Sequence, residues 1–302
     1  MRMTSVLEAP GETIEGRATT QVERPEDVPL FRVVPLRDGA GRAVEHYHGV
    51  QREDSGEVVS VVSPRYSLLQ HRAVAEAVHE IGAILDPPED LEEGDFGRPR
   101  FPREQIRLYA NGRRMEVKLV IGTKYRLDRE NEFYPGIRVF NSLDGAWALR
   151  MEAFGLRLSC TNQLYAGARS YMEFRELHLI SAQDMLAQLQ RATYEVLEHF
   201  EEALSIYSRS MDRWIEISEI GPALRTVGIP PRHADRVCEA LPEYFGSLLW
   251  GEVRRWEAYQ LATDYFTHEV HVNPERERAF ERAAARALLL EGSMEVRETI
   301  PA

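Results

Sequence analysis

The sequence predicts an α+β fold, an antiparallel β-hairpin sheet with a long helix and a C-terminal helical region. Three observations predict it. Apolar segments of strand length, separated by Gly, Pro, Asn and Asp, fill residues 29 to 180. The apolar spacing becomes helical from residue 181 to the end at 302. The turns between strand segments are too short for the crossovers that parallel strands need.

Taken in order, residues 1–28 are rich in Pro, Gly, Thr and Glu and read as a flexible arm. Strands follow at Phe31 to Leu36, His46 to Arg52 and Val58 to Val62, the last two joined through Asp54-Ser55-Gly56 as a hairpin. Ser63-Pro64 ends the third of them. A helix from Gln70 to Leu85 places Val74, Val78, Ile81 and Leu85 on one side and stops at Asp86-Pro87-Pro88. The acidic stretch Glu89 to Pro102 reads as a surface loop.

In the centre, Ile106 to Tyr109 and Met115 to Ile121 flank Asn111-Gly112, a type I′ turn signal, since both residues tolerate positive φ. Ile137 to Phe140 is a further strand, Asn141 to Gly145 a turn and Trp147 to Ala153 its return. Phe154-Gly155 reads as another turn, with a strand from Leu156 to Cys160 after it. Ser181-Ala182-Gln183-Asp184 resembles a capping box and opens a helix to about Met211, where Met185, Leu189, Val196, Phe200, Leu204 and Tyr207 recur at helical spacing. Further helices are broken at Gly221-Pro222, Gly228 to Pro231, Pro242 and Asn273-Pro274.

Composition narrows the function. Apolar residues at 43% and charged ones at 28% are those of a globular chain. No run approaches 18 apolar residues and the N-terminus lacks a signal-peptide pattern, so a cytoplasmic protein without a membrane partner is expected. Two cysteines, Cys160 and Cys238, make no disulfide framework or zinc knuckle and read as reduced thiols. The net charge of −12 argues against simple electrostatic coating of DNA. The charge is uneven, because residues 98 to 138 hold eleven Arg or Lys against five Asp or Glu, a balance of +6 that leaves −18 for the rest. Only two cations in the chain are lysines, Lys118 and Lys124, an arginine bias that genome composition alone can produce.

No GxGxxG, GxxxxGK(S/T), GxSxG or HExxH motif is present, and no cofactor is expected. His268-Glu269-Val270-His271 has its histidines three apart instead of four and reads as polarity at a helix end. His46 and His48 share a strand face, a weak metal signal, and no metal site is expected. Asp128, Glu130 and Glu132 form an acidic cluster bracketed by Arg126 and Arg129, more readily self-paired than metal-binding. The basic hairpin is the strongest functional feature. Arg113 and Arg114 follow the turn, Lys118 lies on the next strand, Lys124 and Arg126 come after it, Arg138 lies on the following one, and Tyr109 and Tyr125 stand close by. Cations that follow a backbone, with aromatics on which bases stack, suit single-stranded nucleic acid. The plainer reading is a solvated hairpin face whose arginines answer the acidic helices.

The run Gly136 to Gly145, then Ala148-Leu149-Arg150, then Gly155 to Asn162 resembles the central signature of the phage/plasmid-like family, an uncharacterised domain of phages, prophages and plasmids. Asn141, Ser142, Asp144, Gly145, Arg157, Cys160, Thr161 and Asn162 carry the likeness, and Ser63-Pro64-Arg65-Tyr66 resembles its earlier segment. The likeness covers about residues 60 to 185. Leu143 departs from it, standing where the family usually has histidine, which favours a structural turn. The resemblance implies a mobile-element setting and no established reaction. The sheet-then-helix layout is similar, in architecture only, to single-strand annealing recombination proteins.

The leading expectation is therefore a non-enzymatic accessory that binds or anneals single-stranded nucleic acid as a homo-oligomer. The alternative is a protein-interaction module that meets a host protein through its acidic helical surface. A third is a metal-dependent nuclease using Asp128, Glu130 or Asp144.

Overall fold

The structure is a computed structural model that describes residues 19–85, 103–122, 124–126, 132–145, 149–157, 163–165, 172–174, 182–245, 251–270 and 274–289. The class is α+β, as the sequence predicts. Strand β1 (Thr20–Val22) precedes a three-stranded antiparallel sheet of β2 (Phe31–Arg37), β3 (Ala43–Arg52) and β4 (Val58–Val62). Helix α1 (His71–Ile84) follows. The main sheet takes β5 (Glu104–Tyr109), β6 (Arg114–Val120), β7 (Tyr125–Arg126), β8 (Glu132–Ser142), β9 (Leu149–Arg157), β10 (Gln163–Tyr165) and β11 (Met172–Phe174). Its order is β1-β5-β6-β8-β9-β10, with β7 paired to β8 and β11 to β9.

Side chains alternate across this sheet. One face carries Ile106, Leu108, Met115, Val117, Leu119, Ile137, Val139, Leu149, Met151 and Ala153, all in the main core. Val74, Val78 and Ile81 of α1 join it, as do Leu189, Val196, Phe200, Leu204 and Tyr207 of the 30-residue α2 (Ala182–Met211). At roughly 1.5–3 kcal/mol for each fully buried large aliphatic side chain, this face is the main source of stability. Gly82 lets α1 approach β6, since a Cβ there would stand 3.1 Å from Leu119 Cδ1.

The remaining elements are β12 (Trp214–Glu216), α3 (Ile217–Thr226), α4 (Pro231–Phe245), β13 (Glu252–Arg254), α5 (Arg255–His268) and α6 (Pro274–Leu288). Strands β12 and β13 pair with each other, an element the sequence did not announce. The core runs on without a break into these helices through Trp256, Tyr259, Phe266, Phe280 and Leu288. Trp256 sets its ring edge-on to both Phe133 and Tyr207. No helix among the described residues is long and apolar enough to cross a membrane.

Four expectations change. Phe154-Gly155 is not a turn, because β9 runs through it and the Phe154 ring lies over Gly136 on the neighbouring strand, where a side chain would collide. The β5–β6 turn keeps Asn111 and Gly112 at the predicted positive φ, 61° and 82°, with the Arg113 N–H on the Ala110 carbonyl at 3.2 Å, but it is one residue longer than expected. Ala110 also takes a positive φ, 48°, and the Gly112 N–H closes on the Tyr109 carbonyl at 3.0 Å. Helices α3 and α4 continue through Pro222 and Pro242, both on exposed sides where water meets the carbonyls that proline leaves unbonded. The breaks at Gly228 to Pro231 and at Asn273-Pro274 hold, each helix beginning on its proline.

Candidate functional site

The second face of the main sheet is charged. Cross-strand register places Gln105, Lys118, Arg138 and Glu152 in one row and Arg107, Glu116, Phe140 and Arg150 in the next. Tyr109, Arg114 and Ser142 form a third. A polar strand face normally meets water, but here α6 covers it. Glu116, Lys118, Arg138 and Glu152 are all buried, together with Arg278 and Glu281 of α6.

Ion pairs hold this layer together. Arg138 Nη1 stands 3.2 Å from Glu281 Oε2, Lys118 Nζ 3.5 Å from Glu116 Oε1, and Arg278 Nη1 3.2 Å from Glu152 Oε1. The Tyr109 hydroxyl donates to Glu116 Oε2 at 3.0 Å. Burial drives the Lys118 ammonium down to about 8, against the pull of Glu116. It drives Glu277 up to about 7, helped by neighbouring Glu281. The Glu116 carboxyl resists burial and is held below its usual range by Lys118, Arg138 and Arg107. Arg138 is held charged against burial chiefly by Glu281.

The expected open basic ribbon is thus divided by the fold. Lys118 and Arg138 lie beneath α6 and do not share a surface with the turn. Arg113 and Arg114 are half-buried near it. Arg113 donates from Nε to the Ala110 carbonyl at 3.0 Å, and Arg114 pairs with Asp144 at 3.0 Å. Lys124 and Arg126, exposed at the rim, both face Glu132. Tyr109 turns its hydroxyl to Glu116, and Tyr125 packs against Phe200, ring centroids 5.2 Å apart. Neither ring lies open for a base to stack on.

The family-motif turn joins three parts of the fold. Leu143 is fully buried against Phe31, Val50, Val59 and Val62 of the small sheet. Its carbonyl accepts from Ser60 Oγ at 2.7 Å, and its N–H donates to the Arg113 carbonyl at 2.8 Å. Asn141 Nδ2 donates to the Leu69 carbonyl at 3.1 Å and lies 3.0 Å from His71 Nδ1, while the Tyr66 hydroxyl reaches the Ser142 carbonyl at 3.4 Å. Gly145, at a φ of 71°, takes the left-handed geometry that the turn requires. His71 is fully buried, and burial pushes it down to about 4. The backbone of Arg157 closes β9 opposite Phe133. Cys160, Thr161 and Asn162 lie outside the described residues.

The weaker constellations place as follows. Asp128 and Glu130 lie outside the described residues, and Asp144 is paired with Arg114. His271 is outside as well. His46 is exposed on β3, and no group of metal-binding side chains occurs among the described residues. Cys238 is a free thiol pushed upward by burial, away from the thiolate that reactivity needs.

Sequence reasoning missed His71, Glu152, Glu277, Arg278 and Glu281. The available signal was the four-residue step from Glu277 to Glu281, which puts two carboxylates on one helix face. Nothing local says that this face turns inward.

A family model described as a domain of unknown function, DUF932, matches residues 58–288. It includes the C-terminal helices that the likeness read from the sequence did not reach. No curated protein matches the chain, and no solved structure does.

Proposed function

The chain belongs to the DUF932 family, a domain of unknown function, and from that premise we propose that it is a non-enzymatic accessory of a mobile element, binding or annealing single-stranded nucleic acid. The observation that supports this reading is the layout. An antiparallel meander of β5, β6, β8 and β9 carries the 30-residue α2 on its apolar face, an arrangement like that of annealing proteins, which need no cofactor.

The cations within reach of a strand are Arg113 and Arg114 near the turn and Lys124 and Arg126 at the rim. Arg114, Lys124 and Arg126 already face carboxylates, so a phosphate must displace Asp144 or Glu132. Binding is then modest and falls steeply with salt. Fluorescence anisotropy with labelled single-stranded DNA and RNA, at low and then physiological salt, tests it. Wild-type protein binds at low salt, and Arg113→Glu with Arg114→Glu weakens binding at least tenfold. No binding by the wild type at low salt overturns the reading.

A second reading, a protein-interaction module, is favoured by the outer face of the small sheet. Tyr47, Val58 and Val61 are 53%, 43% and 57% exposed, with Val58 beside Gly49 and Val61 opposite it in register. Exposed apolar groups gathered in this way mark contact surfaces. Capture of one stoichiometric protein free of nucleic acid, lost with Tyr47→Glu and Val61→Glu, selects this reading over the first.

A further inference from the structure

Arg278 is the largest side chain wholly withdrawn from solvent, at 0% exposure. Its guanidinium lies over the Phe140 ring, Cζ 4.3 Å from the centroid. Its Nε, Nη1 and Nη2 all lack a hydrogen-bond partner. Glu152 stands beside it at 3.2 Å but outside hydrogen-bonding geometry, and that same Oε1 is itself unbonded. The oxygen is shared, since Arg150 Nε lies 3.4 Å from it. Burial lowers Arg278 to about 10 against the pull of Glu152, and Arg150, Arg282 and Arg138 add to the lowering as like charges.

A buried guanidinium with every donor unfilled is among the costliest groups a protein can hold. Open buried donors signal a water or an ion that completes them. Water would fill the donors without offsetting the gathered positive charge, whereas an oxyanion does both. The planar fork of arginine suits two oxygens of a tetrahedral anion. We propose that Arg278, with Arg150 and Arg138 around it and the Phe140 ring as a wall, binds a small oxyanion of the phosphate class between α6 and the main sheet. The anion is a free ion or the phosphate of a nucleotide or strand. The free-ion case stands apart from the nucleic-acid reading, because a free ion needs no strand-binding surface.

The test is thermal unfolding of the full chain at constant ionic strength, with chloride replaced stepwise by inorganic phosphate. Parallel arms use thymidine monophosphate and a short oligothymidylate. In the wild type the midpoint begins to climb near the dissociation constant and then rises with the logarithm of concentration, by about 2–4 °C at ten times that constant. Arg278→Met abolishes the climb. Glu152→Gln, which keeps every arginine and removes the competing carboxylate, moves the onset of the climb to several-fold lower concentration. A response to phosphate alone identifies the free ion, and one confined to the nucleotide or oligonucleotide arms identifies an esterified phosphate. No climb of the midpoint in any arm overturns the proposal, as does an undiminished climb in Arg278→Met. Should Arg278→Met fail to fold, Glu152→Gln decides, and an unchanged or weaker response there overturns the proposal equally.

Discussion

Arg138 on β8 and Glu281 on α6 meet at 3.2 Å, 143 residues apart in the chain, with both side chains out of water. A cation on a central strand is thereby committed to holding a helix. Removing one partner leaves the other buried without its nearest counter-charge. Glu281→Ala is expected to destabilise by about 3–5 kcal/mol, and Arg138→Met with Glu281→Leu by much less, since an apolar pair of similar volume replaces both charges without stranding either. Urea unfolding of the three proteins checks this.

The motif turn is a packing joint. Leu143, at 0% exposure, fills the space between the turn and the small sheet. Leu143→Ala removes its contacts with Phe31, Val50, Val59 and Val62 and is expected to cost about 2–5 kcal/mol. A cost below about 1 kcal/mol in urea unfolding would refute the structural role of this position.

Two groups, the buried His71 and the half-buried Glu277, give opposite pH slopes. His71 titrates near 4 when folded against an ordinary 6.5, so between those values the unfolded chain binds a proton that the folded one does not. Stability therefore falls as pH drops through that window, by up to about 3 kcal/mol. Glu277 is raised to about 7 from 4.5, so its neutral form is favoured by folding. That contribution is present below pH 4.5 and is lost as pH rises through 7, about 2 kcal/mol after allowance for partial exposure. His71→Gln should remove the acid loss, and Glu277→Gln should gain stability over wild type at about pH 8. Urea midpoints across the range measure both.

Ala110 sits at a φ of 48°, in the left-handed region where a Cβ is crowded. Ala110→Gly is expected to stabilise by about 1 kcal/mol despite the added freedom of the unfolded chain. A lower melting temperature would contradict the turn geometry.

Much of this fold was legible from local pattern. Alternating apolar residues gave the hairpins, and helical spacing in Leu189, Val196, Phe200 and Leu204 gave α2. The misreadings share one cause, contact from a distance. Lys118 and Arg138 alternate with apolar neighbours, which in any single strand means a wetted face, and only the arrival of α6 turns that face inward. Phe154-Gly155 has turn chemistry, but Gly136 opposite offers its ring a place to lie and keeps the strand straight. Leu143 reads as a turn residue because the sheet that buries it lies some 80 positions earlier. Of the cations proposed for strand binding, Arg113, Arg114, Lys124 and Arg126 remain within reach of solvent, and nothing in their own sequence distinguishes them from the two that do not.

The small sheet bears on how the family domain is delimited. The matched span begins at residue 58, the first position of β4, so it starts at the edge strand of a sheet whose other two strands precede it. Excision at that boundary would strip Val59, Val62 and Leu143 of Phe31 and Val50, and leave β4 with no strand to bond. The cooperative unit thus reaches back to at least Phe31, and the motif turn inherits its shape from residues outside the span by which the family is recognised.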